Sequence, residues 1–438
     1  MASSSGCGYA VLCCPAPANS FRKQYLVASL HLRDYHFRQP EGGNGVASCS
    51  PQQTQRAYPG IMNFSHLKLT DWPFQIVPDP RFYTFMADRS QVQTDIENLL
   101  RIMARRDQSS IHLVWAWFGS GKTHTMRHFC YLCRERMPAI QTVYTEFPKS
   151  VKSFLDLYKA FAQELDLNAL KELLTDLFTT PGLDSTISSL RSSFPDLEKV
   201  VRYIVFGNEE HQLLAMRWLK ADNIPLRDLR SAGVGQRLET IDAASRTMSW
   251  ISQLIGKLGS SKDSVGRLIW VIDEFQLISE CRQPTAHEIM GSLHSLFNKT
   301  PTNFTLFISF SGRPEKRFPA WLSRELSDRI GIEKVILLPP LANADALRFI
   351  QDLLAHFRQP GDSVPRTFPF QEETVHEVLD FIQQNKTELK PRILMQAFGA
   401  VLEEAEALVE RGEIQSIEPG FARKVLQERL FHEGKSIE

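Results

Sequence analysis

The stretch IHLVWAWFGSGKTHTMRHF, residues 111–129, runs from an apolar segment through a Gly-Ser-Gly turn into a helical pattern opened by Lys122 and Thr123. Either it cradles a phosphate or it is only a strand that turns into a helix. Phe118, Gly119, Ser120 and Gly121 form the turn, and the two glycines would let the backbone wrap closely around an anion. The following helix would offer unpaired N–H groups and the positive end of its dipole. Lys122 would reach the outer phosphates, and the Thr123 hydroxyl would ligate Mg²⁺. The spacing matches G-x-x-x-x-G-K-[ST] except at its first position, where Ala116 stands in AWFGSGKT.

A phosphate loop of this kind works with a second strand that ends in carboxylates. RLIWVIDEFQ (267–276) supplies one, an apolar run followed by Asp273 and Glu274. Asp273 is placed to hold Mg²⁺ through water. Glu274 is placed to polarise an attacking water, as general base or positioning group. A paired Asp-Glu is also an ordinary strand cap, and the phosphate loop upstream favours the chemical reading.

The remaining chain alternates. Residues 88–106 carry Val92, Ile96, Leu99, Leu100 and Met103 at helical spacing. Strands are expected at 111–117, 141–147, 267–275, 303–312 and 334–341, with helices at 123–137 and 153–165 and a mostly helical block from about 167 to 260. After Pro340 only helices follow, at 343–357, 371–385, 391–411 and 418–431. Strands alternating with helices predict an α/β fold with a parallel sheet covered on both faces. The expected division is 62–340 for a P-loop core with its helical insertion, 341–412 for a helical lid, and 413–438 for a helical tail. Residues 1–61 are rich in Ser, Gly, Pro and Gln without periodicity, and read either as a flexible leader or as sequence upstream of a true start at Met62.

Taken together, the phosphate loop, the Asp-Glu strand and the helical tail resemble an AAA+ ATPase. The nearer likeness is to the initiator-type group of origin-recognition, Cdc6-like and STAND-related ATPases, over roughly 80–412. ADRSQVQTDIENLL (87–100) is similar to the helix that borders the adenine pocket in that family, with Arg89 at its arginine. NFTLFISFSG (303–312) is similar to the sensor-1 strand, with Ser309 or Ser311 in the polar role. LSDRIGIEKVILLPPL (326–341) is similar to the arginine-finger segment, with Arg329 as the finger and Arg324 as the alternative. LKPRILMQAF (389–398) is similar to the sensor-2 helix, with Arg392 at its arginine and Leu389 where the family has glycine. The resemblance implies ATP and Mg²⁺ as cofactors, hydrolysis through Glu274, a γ-phosphate contact from Arg392, and a homo-oligomer in which Arg329 serves a neighbour's nucleotide. Residues 213–259 also resemble ATP-binding proteins of bacterial defence islands. That likeness implies nucleic-acid transactions or phage defence, with a DNA or protein partner sensed through the insertion. Two other readings are an ATP-driven switch with slow turnover and a nucleotide-binding scaffold that does not hydrolyse.

Other signals carry less. Basic and acidic residues balance at 50 each, so no global field recruits nucleic acid. Seven cysteines without pairing spacings and no long apolar run point to a cytoplasmic protein that does not enter a membrane. Cys130-Tyr-Leu-Cys133 lacks the second pair that a zinc site needs. His124 is read as a neighbour of the phosphates and His128 as packing. Glu146, ending the second strand, suits either coupling to a partner or a surface role. Basic clusters at 101–106 and at Arg313, Lys316 and Arg317 lack interleaved aromatics.

Overall fold

The strands β1 (Ser110–Ala116), β2 (Ile140–Glu146), β3 (Arg267–Asp273), β4 (Phe304–Ser311) and β5 (Val335–Leu337) form one sheet. Its order is β2-β3-β4-β1-β5, and every pair is parallel. The computed structural model describes residues 64–77, 79–179, 191–259, 265–313, 318–319, 322–330 and 334–430. The expectations for 1–61 and for Lys316 and Arg317 fall outside these residues.

Near-continuous apolar runs make the strands, because both faces of the sheet are covered. Alternate residues go to opposite sides. Leu113, Trp115, Trp270, Ile272, Leu306 and Ile308 belong to one apolar cluster, and Val114, Ala116, Tyr144, Val271 and Phe307 to another. The second face is covered by α1 (Ser90–Arg105) and α2 (Lys122–Arg136). The register sets Ala116 beside Ser311 and Glu146 beside Asp273, so the carboxyl ends of four strands form one rim. β4 lies between the phosphate-loop strand and the Asp-Glu strand. β5 is shorter than the predicted 334–341. Pro339 and Pro340 have no N–H to give a ladder, and Leu341 donates instead to the Leu389 carbonyl at 2.7 Å.

The block expected between 167 and 260 comprises α4 (Leu167–Thr179), α5 (Pro195–Phe206), α6 (Glu209–Leu219), α7 (Leu226–Ser231) and α8 (Ile241–Gly259), after α3 (Phe154–Glu164). It is not a separate body. Leu174, Val201, Trp218 and Leu229 share one buried cluster with Leu268, Trp270 and Phe304 of the sheet. α3 is tied to it by the Tyr158 hydroxyl, which donates to the Leu219 carbonyl at 2.7 Å. α9 (Gln283–Lys299) and α10 (Arg324–Ile330) complete that side.

After β5 come α11 (Asn343–His356), α12 (Glu372–Gln384), α13 (Pro391–Glu410) and α14 (Pro419–Arg429). Two segments join their core that the sequence had assigned elsewhere. Phe64, Leu67, Leu69 and Phe74, expected with the α/β core, are buried among Phe370, Leu379 and Phe398. Aromatic residues broken by prolines give no period, so this non-helical segment reveals its partner only by packing. α14, expected as a tail, buries Ala422, Val425 and Leu426 in the same cluster. Its approach is fixed by Thr374 Oγ1, which donates to the Ile417 carbonyl at 2.6 Å.

Because the insertion shares the sheet's core, Trp218→Ala should remove about 3–5 kcal/mol from the whole α/β unit. Chemical denaturation followed by circular dichroism should then show one transition at lower denaturant. Two separated transitions would mean that the helical block folds by itself.

His112 in β1 is buried against Phe307, ring centroids 5.0 Å apart, and its Nε2 meets the Ser110 hydroxyl at 3.0 Å. Burial, with lesser contributions from the Lys334 and Arg267 cations, pushes its pKa down to about 3. Between about pH 6.5 and 3 the unfolded chain therefore takes up a proton that the native state refuses. Stability from this group is present above pH 6.5 and falls as pH is lowered through that window, by up to about 1.4 kcal/mol per pH unit. His112→Phe should flatten the slope of unfolding free energy between about pH 6 and 4, whatever it does to stability at pH 7.

Candidate functional site

β1 ends at Ala116, and the chain turns through residues 117–121 before α2 starts at Lys122. Ala116 is fully buried and still in the strand. The position that departs from the motif therefore asks for no positive φ, and alanine suits it. Gly119 and Gly121 do need their freedom, at φ +76° and +89°. A Cβ on Gly119 would stand 3.0 Å from Arg392 Cβ. Gly121 caps α2, whose first turn has no acidic residue, so its unpaired N–H groups give the loop an anion-favouring end.

Lys122 is 5% exposed. Its Nζ donates to the Trp117 carbonyl at 3.4 Å and lies 5.6 Å from the ring centre of Phe118, which is itself exposed. Burial pushes the ammonium below its usual range, while Glu274 and Asp273 pull it back.

Asp273 is buried at the end of β3 and gathers four donors. Oδ2 accepts from the Thr123 hydroxyl at 2.7 Å and the Tyr144 hydroxyl at 2.5 Å. Oδ1 accepts from Ser309 Oγ and from the Glu274 N–H at 2.9 Å. Of the two candidate serines, Ser309 makes the bond. The Ser311 hydroxyl is buried with no partner among the described residues. Burial, then the adjacent carboxylate, pushes the Tyr144 phenol far above its ordinary range, so it stays a donor.

Glu274 sits at φ +55°, a conformation few non-glycine residues adopt. It starts a short 3₁₀ turn, Phe275–Glu280. Its Oε2 accepts from Gln276 Nε2, and Gln276 Oε1 accepts from the Ser311 N–H at 2.9 Å. Gln276 thus braces the glutamate against the end of β4. Glu146 is exposed and shares a groove with Glu274, Lys149 and Lys159.

Two arginines frame the other side. Arg89 is buried; its Nη1 donates to Pro339 O at 2.6 Å and its Nη2 to Ser120 O at 3.0 Å. It clamps the loop to the segment after β5. Arg392, at the start of α13, donates its N–H to the Gly119 carbonyl at 3.1 Å. Beyond these lies an apolar pocket lined by Phe82, Phe85, His124, Phe349, Phe357 and Met395. His124 lines this pocket together with Gly119 and Gly121, with its ring turned to the wall. Its Nε2 meets the Phe85 carbonyl at 2.7 Å, and burial lowers its pKa, so the neutral ring anchors the pocket wall. His128 holds the Tyr83 carbonyl at 2.8 Å in the same way.

Arg329 is not brought to this site. It is exposed on α10 and donates to Asn298 Oδ1, while Arg324 pairs loosely with Asp328. Cys130 and Cys133 are buried free thiols, with Cys130 pushed up to about 12 by burial. Sequence reasoning missed Tyr144, Gln276 and the pocket wall from 73 to 87. Tyr144 reads as one more strand aromatic, and Gln276 as a residue after the motif. Among the described residues no group of three or more His, Cys, Asp or Glu forms a metal site, and no helix is long and apolar enough to cross a membrane.

The sheet order, the phosphate loop opening α2, the Asp-Glu end of β3 and the helices after β5 define the fold class. It is an α/β, parallel-sheet core of the P-loop type, with a helical insertion and a C-terminal helical region. No protein-family model matches the sequence, and no curated protein matches it significantly. Solved structures similar to it include the Aeropyrum pernix ORC2 protein, at 10% identity over 80% of this chain and 69% of that one, with a TM-score of 0.45. Cdc6p from Pyrobaculum aerophilum is similar at 13% identity over 84% and 72%, with a TM-score of 0.43. Domain III of the Thermotoga maritima replication initiation protein DnaA is similar at 13% over 81% and 98%, with a TM-score of 0.39.

Gly119→Ala and Gly412→Ala separate two costs. Gly412 also has positive φ, +70°, but a Cβ there meets nothing within 4 Å. Gly412→Ala should cost about 1–2 kcal/mol from backbone strain alone. Gly119→Ala should cost more, because Arg392 must move as well. Equal losses in urea denaturation would show that Arg392 yields freely.

Proposed function

We propose that the chain binds ATP with Mg²⁺ between its sheet and its C-terminal helices and hydrolyses it, as an AAA+ ATPase of the initiator type. The observation that carries this reading is the arrangement about Asp273: Thr123 from the phosphate-loop helix and Glu274 from the strand end meet on one carboxylate. Thr123 and Asp273 are hard oxygen donors, and they fit a Mg²⁺ ion that takes its other ligands from phosphates and water. When bound, the ion would neutralise phosphate charge. The N–H groups of the loop and of the first turn of α2 hold the phosphates. Lys122 supplies a buried cation beside them, and Arg392 a second from the helical side. Glu274, held by Gln276, takes the proton of the attacking water. The apolar pocket between Phe85 and Phe349 receives the base.

The proposal extends to a homo-oligomer. Arg329, exposed on α10, would then reach the nucleotide of a neighbour and make turnover depend on assembly. The setting is cytoplasmic, in nucleic-acid transactions or phage defence, with the insertion as the surface for a DNA or protein partner. One observation favours a second reading, an ATP-driven switch with slow turnover. Arg392 N–H lies directly on the Gly119 carbonyl, so phosphate occupancy and the position of α13 are mechanically linked.

Glu274→Gln should lower ATP turnover by about 10²–10⁴-fold while ATP still binds. Lys122→Ala should lose binding as well. Turnover unchanged in Glu274→Gln would reduce the protein to a nucleotide-binding scaffold. Stimulation of wild-type turnover by duplex DNA supports a nucleic-acid role. Slow turnover indifferent to DNA, with ATP-dependent assembly, supports the switch.

A further inference from the structure

Two of the four donors on Asp273, Ser309 and Tyr144, have no place in the mechanism above. Thr123 belongs to the phosphate loop's helix, Glu274 is the next residue, and Ser309 is on the adjacent strand. Tyr144 comes from β2, on the far side of β3. Its hydroxyl reaches Asp273 Oδ2 at 2.5 Å and shares that oxygen with Thr123.

The ring of Tyr144 is held deliberately. The guanidinium carbon of Arg127, on α2, lies 3.4 Å from its centroid and 5.8 Å from that of Tyr83. Arg127 Nε is buried and has no hydrogen-bond partner among the described residues. Its planar cation is therefore placed for stacking between two tyrosines, an arrangement that suits arginine. The stack fixes the phenol so that its O–H points at the carboxylate.

An ionised carboxylate accepts about four hydrogen bonds, and Asp273 already has four. Magnesium beside phosphates keeps several of its waters, and these are hydrogen-bond donors that must share this carboxylate. We infer that Tyr144 is a positioning residue that competes for Asp273 Oδ2 and raises the magnesium concentration the site requires, with Arg127 holding it in place. The inference rests on the Mg²⁺-nucleotide reading of the site. Tyr144→Phe keeps the ring and its stack and deletes only the O–H.

The test is ATP binding by calorimetry to the full chain, across a magnesium series and in EDTA. Wild type is compared with Tyr144→Phe and Arg127→Met. Tyr144→Phe should lower the magnesium concentration that gives half the gain in ATP affinity by about tenfold, the worth of one hydrogen bond to a charged group. Its affinity in EDTA should be unchanged. Arg127→Met should shift the requirement in the same direction by less. An unchanged or increased magnesium requirement in Tyr144→Phe overturns the inference. So does an equal change of affinity with and without magnesium, which marks a merely structural role. If wild type binds no ATP, or binds it without regard to magnesium, the proposed function itself fails and this inference with it.

Discussion

One carboxylate holds the working end of this molecule together. Asp273 receives hydrogen bonds from α2, β2 and β4 and from the backbone of its own successor. A buried charge is tolerated only when it is fully hydrogen-bonded. The need to satisfy this one group therefore fixes the helix of the phosphate loop against three neighbouring strands. The parallel register brings the strand ends level so that short side chains such as Ser309 and Thr123 can reach it. The unusual backbone of Glu274 follows from the same place. Its N–H turns back to Asp273 Oδ1, and its side chain is left free to be braced by Gln276.

The parts legible from the sequence are those whose signal is local. The strand-glycine-lysine pattern at 111–123 and the apolar run ending in Asp273-Glu274 each state their structure within a dozen residues. Their juxtaposition follows from the order of a parallel sheet. Arg89 and Arg392 were singled out through resemblance, and both line the apolar pocket. Tyr144 was not, because an aromatic in a strand is ordinarily core, and only the register across β3 brings it to Asp273. His124 was read as a neighbour of the phosphates, and it lines one pocket with Gly119 and Gly121. One helical turn from a phosphate loop looks close, but the direction of the ring is decided by the Phe85 carbonyl. The segment from Phe64 to Phe85 has no period to read. Its partner is a helical core about 300 residues later, a contact that only tertiary packing specifies.

The insertion shows a similar limit. Its helices have clear apolar faces, but periodicity does not say what those faces meet. The structure unites them with the sheet through Trp218, Leu229 and Trp270 in one cluster. The helices of this block therefore reach β3, the strand that carries Asp273, through one set of close-packed side chains. Packed interiors transmit strain because they contain little free volume.

The hydrogen bond from the Arg392 N–H to the Gly119 carbonyl is a peptide-to-peptide link, so of the substitutions at Arg392 only that to proline removes its donor. Evolution can tune the arginine, the glycine or the proline between these helices and the loop, but the joint itself is written into the main chain. Sequence drift in the helical region can therefore change the side chains around this contact while the main-chain bond itself persists.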